Sequence, residues 1–228
     1  LIMSTFKLPT LNGSTLKTIA VISMVIDHCA YFLMTSDTRQ YEVMRCLGRI
    51  AFPVFAFLAV EGFLHTRNRM HYLHTLLGFA VVSEVPWLLL NGNDGTHNVL
   101  FTLALGVTTL IFLDKLIKSN RTLSISVVLV MAYLAYYLGV DYDWRGMLMM
   151  AIFFILKSKG ASHSPFSRVL QLVFSFPLMM HYGIVGAMLA CTVLFMYDGS
   201  RGFIQGSVAK YGFYAIYPVH LLLIWFVR

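Results

Sequence analysis

The sequence predicts an all-α, polytopic membrane protein, and three observations carry that prediction. Of 228 residues, 58% are hydrophobic and only 12% are charged, whereas a soluble domain carries about 25% charged residues. The apolar stretches run continuously toward the roughly 20 residues that a helical crossing needs, with short polar breaks between them. They do not alternate apolar and polar residues in segments of about ten, as strands of a membrane barrel do.

Nine spans follow in order. The first, at about 15–35, is built on Ile19–Ala20–Val21–Ile22 and Phe32–Leu33–Met34. The second, 48–64, opens at Arg49 and contains Pro53, which cannot donate to the Arg49 carbonyl and predicts a kink. The third, 72–90, is kinked by Pro86, and the fourth, 98–114, begins at Asn98, a natural N-cap. The fifth covers 122–140. The sixth, seventh and eighth (145–157, 166–181 and 183–197) are short, and only His181–Tyr182–Gly183 parts the last two, so they are tilted or one is re-entrant. The ninth, 208–227, carries Pro218, which frees the Tyr214 carbonyl. No internal repeat or low-complexity segment divides the chain, so residues 1–228 read as one domain.

Loop charges orient these spans. With the N-terminus inside, the inner segments hold Lys7, Lys17, Arg67, Arg69, Lys115, Lys118, Arg121, Lys157, Lys159, Arg168, Arg201 and Lys210, twelve of the seventeen basic residues. The outer segments hold Arg39, Arg45, Arg49, Arg145 and Arg228, together with most loop acids: Asp37, Glu42, Asp94, Asp141 and Asp143. Asp114 and Asp198 fall inside. This bias predicts an N-in, C-out arrangement with an odd number of spans. The net charge of +7 therefore reads as orientation, and with no basic stretch interleaved with aromatics in a soluble domain, nucleic acid is excluded as a partner. Cys29, Cys46 and Cys191 have neither CxxC nor zinc spacing and read as buried free thiols, so no metal is expected. The first apolar run continues into polar residues, which argues against a cleaved leader.

Ionisable groups inside a bilayer are expensive and mark function by default. Asp27 and His28, in "MVIDHCAYF", lie past the middle of the first span. A carboxylate beside a histidine can orient its ring and raise its basicity, although neighbours about 100° apart on a helix need not touch. Glu61 sits near the inner end of the second span, followed by His65, Arg67, Arg69, His71 and His74. That basic loop is an orientation signal or a binding site for an anionic cofactor's phosphates. Glu84 lies in the outer part of the third span, and "DYDWRG" at 141–146 is an interfacial anchor or an outer site. His220 falls one turn after Tyr217, on the same face. Asp27, His28, Arg49, Glu84, Asn98, Asp141, Asp143, Arg145 and His220 thus map to the outer half. Glu61, Arg67 and Arg69 map to the inner side. Two polar zones through one bundle predict a path with a chemical centre between them.

The ordered blocks "LKTIAVISMVIDH", "LGRIAFPVFAFLAVEGFLHTRN", "SEVPW", "NVLFTLALG", "DYDWRG" and "FYAIYPVHL" closely resemble the TraX family across about residues 16–224. Its namesake is tied to N-terminal acetylation of conjugative F-type pilin. The loops around 36–42 and 158–166 look individual. The family is distantly similar to other transmembrane acyltransferases, of the acyltransferase-3 and heparan-α-glucosaminide N-acetyltransferase types, in which a histidine in an early span is the favoured catalytic residue.

The resemblance implies a bacterial inner-membrane acetyltransferase that draws on cytoplasmic acetyl-CoA. His28 is then the expected general base with Asp27 as its orienting partner, and Arg49 and His220 complete the catalytic set. Arg67 and Arg69, helped by Lys115 or Arg121, would meet the CoA phosphates, and the pantetheine arm would pass Glu61. Arg49, Asn98 or Tyr217 would stabilise an oxyanion, and Glu84, Asp141 and Arg145 lie on the acceptor side. The expected partners are the lipid bilayer, acetyl-CoA and an acceptor amine or hydroxyl on a pilin-like peptide, amino sugar or glycan. A homodimer is admitted. Direct transfer and an acetyl-histidine intermediate both remain open. The alternatives are a proton-coupled transporter or flippase of a small amphiphile, and a non-catalytic membrane assembly protein.

Overall fold

A computed structural model describes residues 10–158 and 165–228. Lys7 and Lys159, counted above among the inner basic residues, lie outside the described residues. The described chain forms ten helices: α1 (Gly13–Leu33), α2 (Arg39–Gly48), α3 (Ala51–His65), α4 (Arg69–Asn91), α5 (Val99–Leu116), α6 (Arg121–Tyr137), α7 (Asp143–Ser158), α8 (Pro165–Met180), α9 (Ile184–Phe195) and α10 (Gly206–Val227). Five starts are fixed by a side-chain cap: Asn12, Thr38, Asn68, Asn98 and Asn120 each accept a backbone N–H from the first turn.

All nine predicted runs contain a helix, and one difference is instructive. The kink expected at Arg49–Pro53 is an interruption at Arg49–Ile50, where the backbone stays right-handed, and the polar segment before it is a further helix, α2. Arg49, read as the opening of the second span, is the C-cap residue of α2. Pro53 stands in the first turn of α3, where its missing N–H costs nothing.

Loop contacts sort the helix ends into two groups. At one end the chain around Leu11–Ser14 bonds to Met196–Ile204, Arg69 pairs with Asp114, and Lys157 pairs with Glu61, which the Tyr197 hydroxyl approaches at 3.5 Å. At the other end His97 bonds to Gly139 and Asp141, Arg145 approaches His181, and Arg228 donates to Leu90. We call the first the basic end, because Lys17, Arg67, Arg69, Lys115, Lys118, Arg121, Lys157, Arg168, Arg201 and Lys210 gather there.

The core runs between these ends and is apolar throughout. α3, with Phe52, Val54, Phe57, Val60 and Phe63 all buried, is covered on nearly every side. The outside is apolar as well: Leu129, Val130, Tyr133 and Tyr137 on α6 are 59–74% exposed. A surface of that character is unfavourable in water and suits lipid. Among the described residues, five runs are long and apolar enough to cross a membrane: Gly13–Leu33, Arg39–His65, Arg69–Asn91, Val99–Leu116 and Gly206–Val227. α6, α8 and α9 are apolar but shorter. The chain is a helical membrane protein.

Candidate active site

Asp27 and His28 point from α1 toward different neighbours. Asp27 Oδ2 accepts from Arg45 of α2 at 2.6 Å. The two helices approach so closely that a Cβ at Gly48 would collide with the Asp27 side chain. His28 faces α10, where its Nδ1 lies 2.7 Å from His220 Nε2. Asp27 therefore does not hold the His28 ring; His220 does. The 100° between successive helical positions sends the two side chains to separate helices.

A backbone carbonyl settles the protons of the histidine pair. His220 Nδ1 lies 2.9 Å from the Ile216 oxygen, which only accepts. With His220 Nδ1 donating, the Nε2 of the neutral ring is an acceptor, so His28 Nδ1–H donates to it. His28 Nε2 is left with a bare lone pair. The Phe32, Trp87 and Tyr217 rings surround His28 at centroid distances of 6.0, 6.5 and 6.1 Å.

Below this pair a cavity of about 530 Å³ opens toward the basic end. Two stripes line it. On α1, Lys17, Val21 and Met24 lead along one face to His28, and on α10, Lys210, Phe213, Tyr214 and Tyr217 lead to His220. Each stripe begins at a lysine and ends at a histidine, about 16 Å further along at 1.5 Å per residue. Arg201 joins the two lysines at the mouth. Among the described residues none of these three cations forms an ion pair. Lys17 lies near enough to Arg201 to feel its charge. At the blind end stand Tyr217, Val99, Leu100 and Leu103.

A second pocket, about 610 Å³, lies at the other end. Tyr31, Phe32, Tyr41, Asp37, Asp94 and Arg228 are among its walls. Two hydrogen bonds from Thr96 hold the Asp94 carboxyl below the usual range. His28 touches Phe32 of this pocket and Tyr217 of the cavity, so the histidine pair stands between the two spaces.

The other predicted residues divide into three groups. Glu61 lines the cavity but pairs with Lys157. Arg69 pairs with Asp114 at 2.5 Å and lies over the Phe63 ring, while Arg67, Lys115 and Arg121 are exposed; none of these four lines the cavity. Lys17, Arg201 and Lys210 occupy the expected place of the basic groups. The helical spacing of Lys17 and Lys210 to the two histidines was the signal for them.

Glu84 and Asn98 form a clamp at the start of α5. Glu84 binds His97 at 2.5 Å and accepts from Asn98 Nδ2 at 2.6 Å. Asn98 also donates to the Ala80 carbonyl at 2.9 Å and caps Leu100 at 3.1 Å. Asp141 belongs to a second polar cluster with Asp27, Arg45, Arg49 and Tyr142. Burial pushes its carboxyl up to about 6, against the pull of the Tyr142 N–H, Arg49 and Arg45, and the Asp27 charge adds to the rise. Tyr142 and Asp143 sit at φ 63° and 38°, strained for side-chain-bearing residues, and this turn carries Tyr142 onto the Phe52 ring. Arg49 lies near Tyr142 and over the Tyr182 ring. Arg145 pairs with Asp143 at 2.7 Å and approaches His181 rather than the His28–His220 pair. Among the described residues no three His, Cys, Asp or Glu side chains are placed to hold a metal ion.

Comparison with known proteins bears on this arrangement. The family model described as TraX protein matches residues 12–228. The chain is 29% identical over 234 aligned positions to the probable fimbrial assembly protein FimC, serogroup H1, of Dichelobacter nodosus, covering 92% of each chain. It is 30% identical over 143 positions to the uncharacterized protein RP591 of Rickettsia prowazekii (strain Madrid E), covering 61% of this chain and 54% of that one. No solved structure matches.

Proposed function

The chain belongs to the TraX family, and from that premise we propose that it is a bacterial inner-membrane acetyltransferase using acetyl-CoA. The observation that carries this reading is the cavity with three cations at its mouth that form no ion pair among the described residues, and a histidine pair beyond its blind end. Phosphate groups are bound by such cations. The two lysine-to-histidine stripes have the reach of an extended pantetheine arm.

In this reading the basic end faces the cytoplasm and the chain crosses nine times, N-in and C-out. α9, with 12 residues, is about 18 Å long, so it crosses where protein and a locally thin bilayer shorten the path. Acetyl-CoA docks its phosphates on Lys17, Arg201 and Lys210, and the thioester arrives at Tyr217. The acceptor comes from the other pocket. Its nitrogen or oxygen forms a bond to the acetyl carbon while His28 Nε2 takes its proton. The C–S bond then breaks, the thiolate leaves, and His28 returns the proton to it. His220 fixes the His28 tautomer throughout.

The acceptor is a pilin-like peptide amine, an amino sugar or a glycan hydroxyl. The name of the Dichelobacter nodosus relative favours a component of surface filaments, and it equally favours a second reading, a non-catalytic assembly protein. Incubating the detergent-purified protein with acetyl-labelled acetyl-CoA and membrane or pilus fractions separates the two. Label moving to a peptide or sugar is expected. Label remaining on CoA, with no thermal stabilisation by acetyl-CoA, contradicts the enzyme and leaves the assembly reading.

A further inference from the structure

The cavity changes character along its length. Lys17, Glu61, Arg201 and Lys210 line it toward the basic end. Its blind end is walled by Met24 of α1, Phe55 of α3, Val99, Leu100 and Leu103 of α5, and the Tyr217 ring of α10. That wall carries no charge. A fitting ligand has anionic groups at one end and a small apolar group at the other.

How small follows from α5, which meets the cavity only through its first five residues. Val99 and Leu103 are one turn apart, and Leu100 and Leu103 are three positions apart, so the three share a face. One turn further on the helix is closed. Val107 and Leu110 are fully buried and line no part of the cavity. A Cβ at Gly106 would collide with the Met150 sulfur of α7, so α5 has no space to retreat into. Its start is tied to α4, where Asn98 Nδ2 donates to Glu84 at 2.6 Å and to the Ala80 carbonyl at 2.9 Å. A wall held on both sides in a close-packed interior excludes by shape. The depth is also bounded. Lys17 to Met24 and Lys210 to Tyr217 are each seven positions, about 10.5 Å along a helix. An extended arm with its phosphates on the three cations already takes up that length, so its far end meets the wall.

We propose that Val99, Leu100 and Leu103 are the specificity-determining wall that restricts the acyl group of the donor to acetyl. This rests on the acetyl-transfer reading. The acetyl methyl packs against the three side chains, and each further methylene has to displace one of them. Leu103 is the main stop, because it shares a face with both of the others and stands where the cavity ends on α5. The selection acts on the donor and is independent of the acceptor.

Isothermal titration of the detergent-purified protein with acetyl-CoA and with butyryl-CoA, two methylenes longer, tests this without an acceptor. Wild type should bind acetyl-CoA more tightly by at least about tenfold. Leu103→Ala adds the volume of the removed side chain to the end of the cavity. It should move the affinity ratio toward butyryl-CoA by about tenfold or more, through tighter binding of butyryl-CoA. Leu100→Ala should move it in the same direction, and it is read in place of Leu103→Ala should that variant lose cooperative unfolding. Leu110→Ala empties a core position of the same helix that lines no part of the cavity, and should keep the wild-type ratio. Three results overturn the acyl-length wall alone: equal binding of both thioesters by wild type, a wild-type ratio in both Leu103→Ala and Leu100→Ala, or an equal shift in Leu110→Ala. A wild-type protein that binds neither thioester overturns the acetyl-transfer reading, and the wall with it.

Discussion

Asp27 and His28 stand side by side in the chain, yet each answers to a different helix. That an aspartate and a histidine sit in an apolar run is legible from the run itself. Their partners are not: His28 meets His220 across 192 positions, and Asp27 meets Arg45 across 18. Periodicity assigns a face, but only tertiary packing decides which neighbour fills it. Lys17 shows the opposite case. Its spacing to Val21, Met24 and His28 was available in the sequence, but a basic residue near a membrane end reads first as an orientation signal. Asp141 carries a prediction at this scale. Its folded-state carboxyl is raised to about 6 against an ordinary value near 4, so the folded state binds more protons between those values. Its contribution therefore turns unfavourable as pH rises from about 4 through 6, and stays so above. Asp141→Asn should remove this slope. The Tm of the variant minus that of wild type, measured in detergent, should grow from pH 5 to pH 7.

At the scale of elements, the caps and long apolar runs make most helix starts readable, and the α2–α3 break was half readable. Pro53 marks the discontinuity, but α2 itself is polar in sequence, RQYEVMRCLG, and reads as loop. Its role appears only against α1, where Arg45 neutralises Asp27 and Gly48 lets the helices close. Gly48→Ala forces a methyl group onto Asp27. Overpacking of this kind costs about 1–3 kcal/mol, so Gly48→Ala should unfold at lower temperature. An unchanged Tm would mean that α2 shifts freely on α1. The stripes of α1 and α10 make a second prediction. Lys17→Ala and Lys210→Ala remove cations from the cavity mouth, and each should weaken acetyl-CoA binding severalfold, with the difference shrinking as salt rises. Arg121→Ala, away from the cavity, should leave affinity unchanged. Equal losses in all three would move the binding site elsewhere.

For the molecule as a whole, composition alone fixed the class: a chain this apolar and this sparsely charged folds in lipid. The segregation of charge between two ends was also legible, and the two groups of loop contacts follow the same division. The cavity was not, because it is a space enclosed by five helices whose arrangement no local pattern encodes. That space joins the parts of the account. Lys17, Arg201 and Lys210, without an ion pair among the described residues, open it, Tyr217 closes it, and a histidine with its tautomer set by a neighbour stands just beyond. The central claim is that His28 Nε2 is the base for acetyl transfer. Its most direct test is the rate of label transfer from acetyl-CoA by purified wild type and His28→Ala, with acetyl-CoA binding followed by thermal shift in the same samples. The account predicts a loss of about 10²- to 10⁴-fold in rate with stabilisation by acetyl-CoA retained; His28→Ala turning over at the wild-type rate would contradict it.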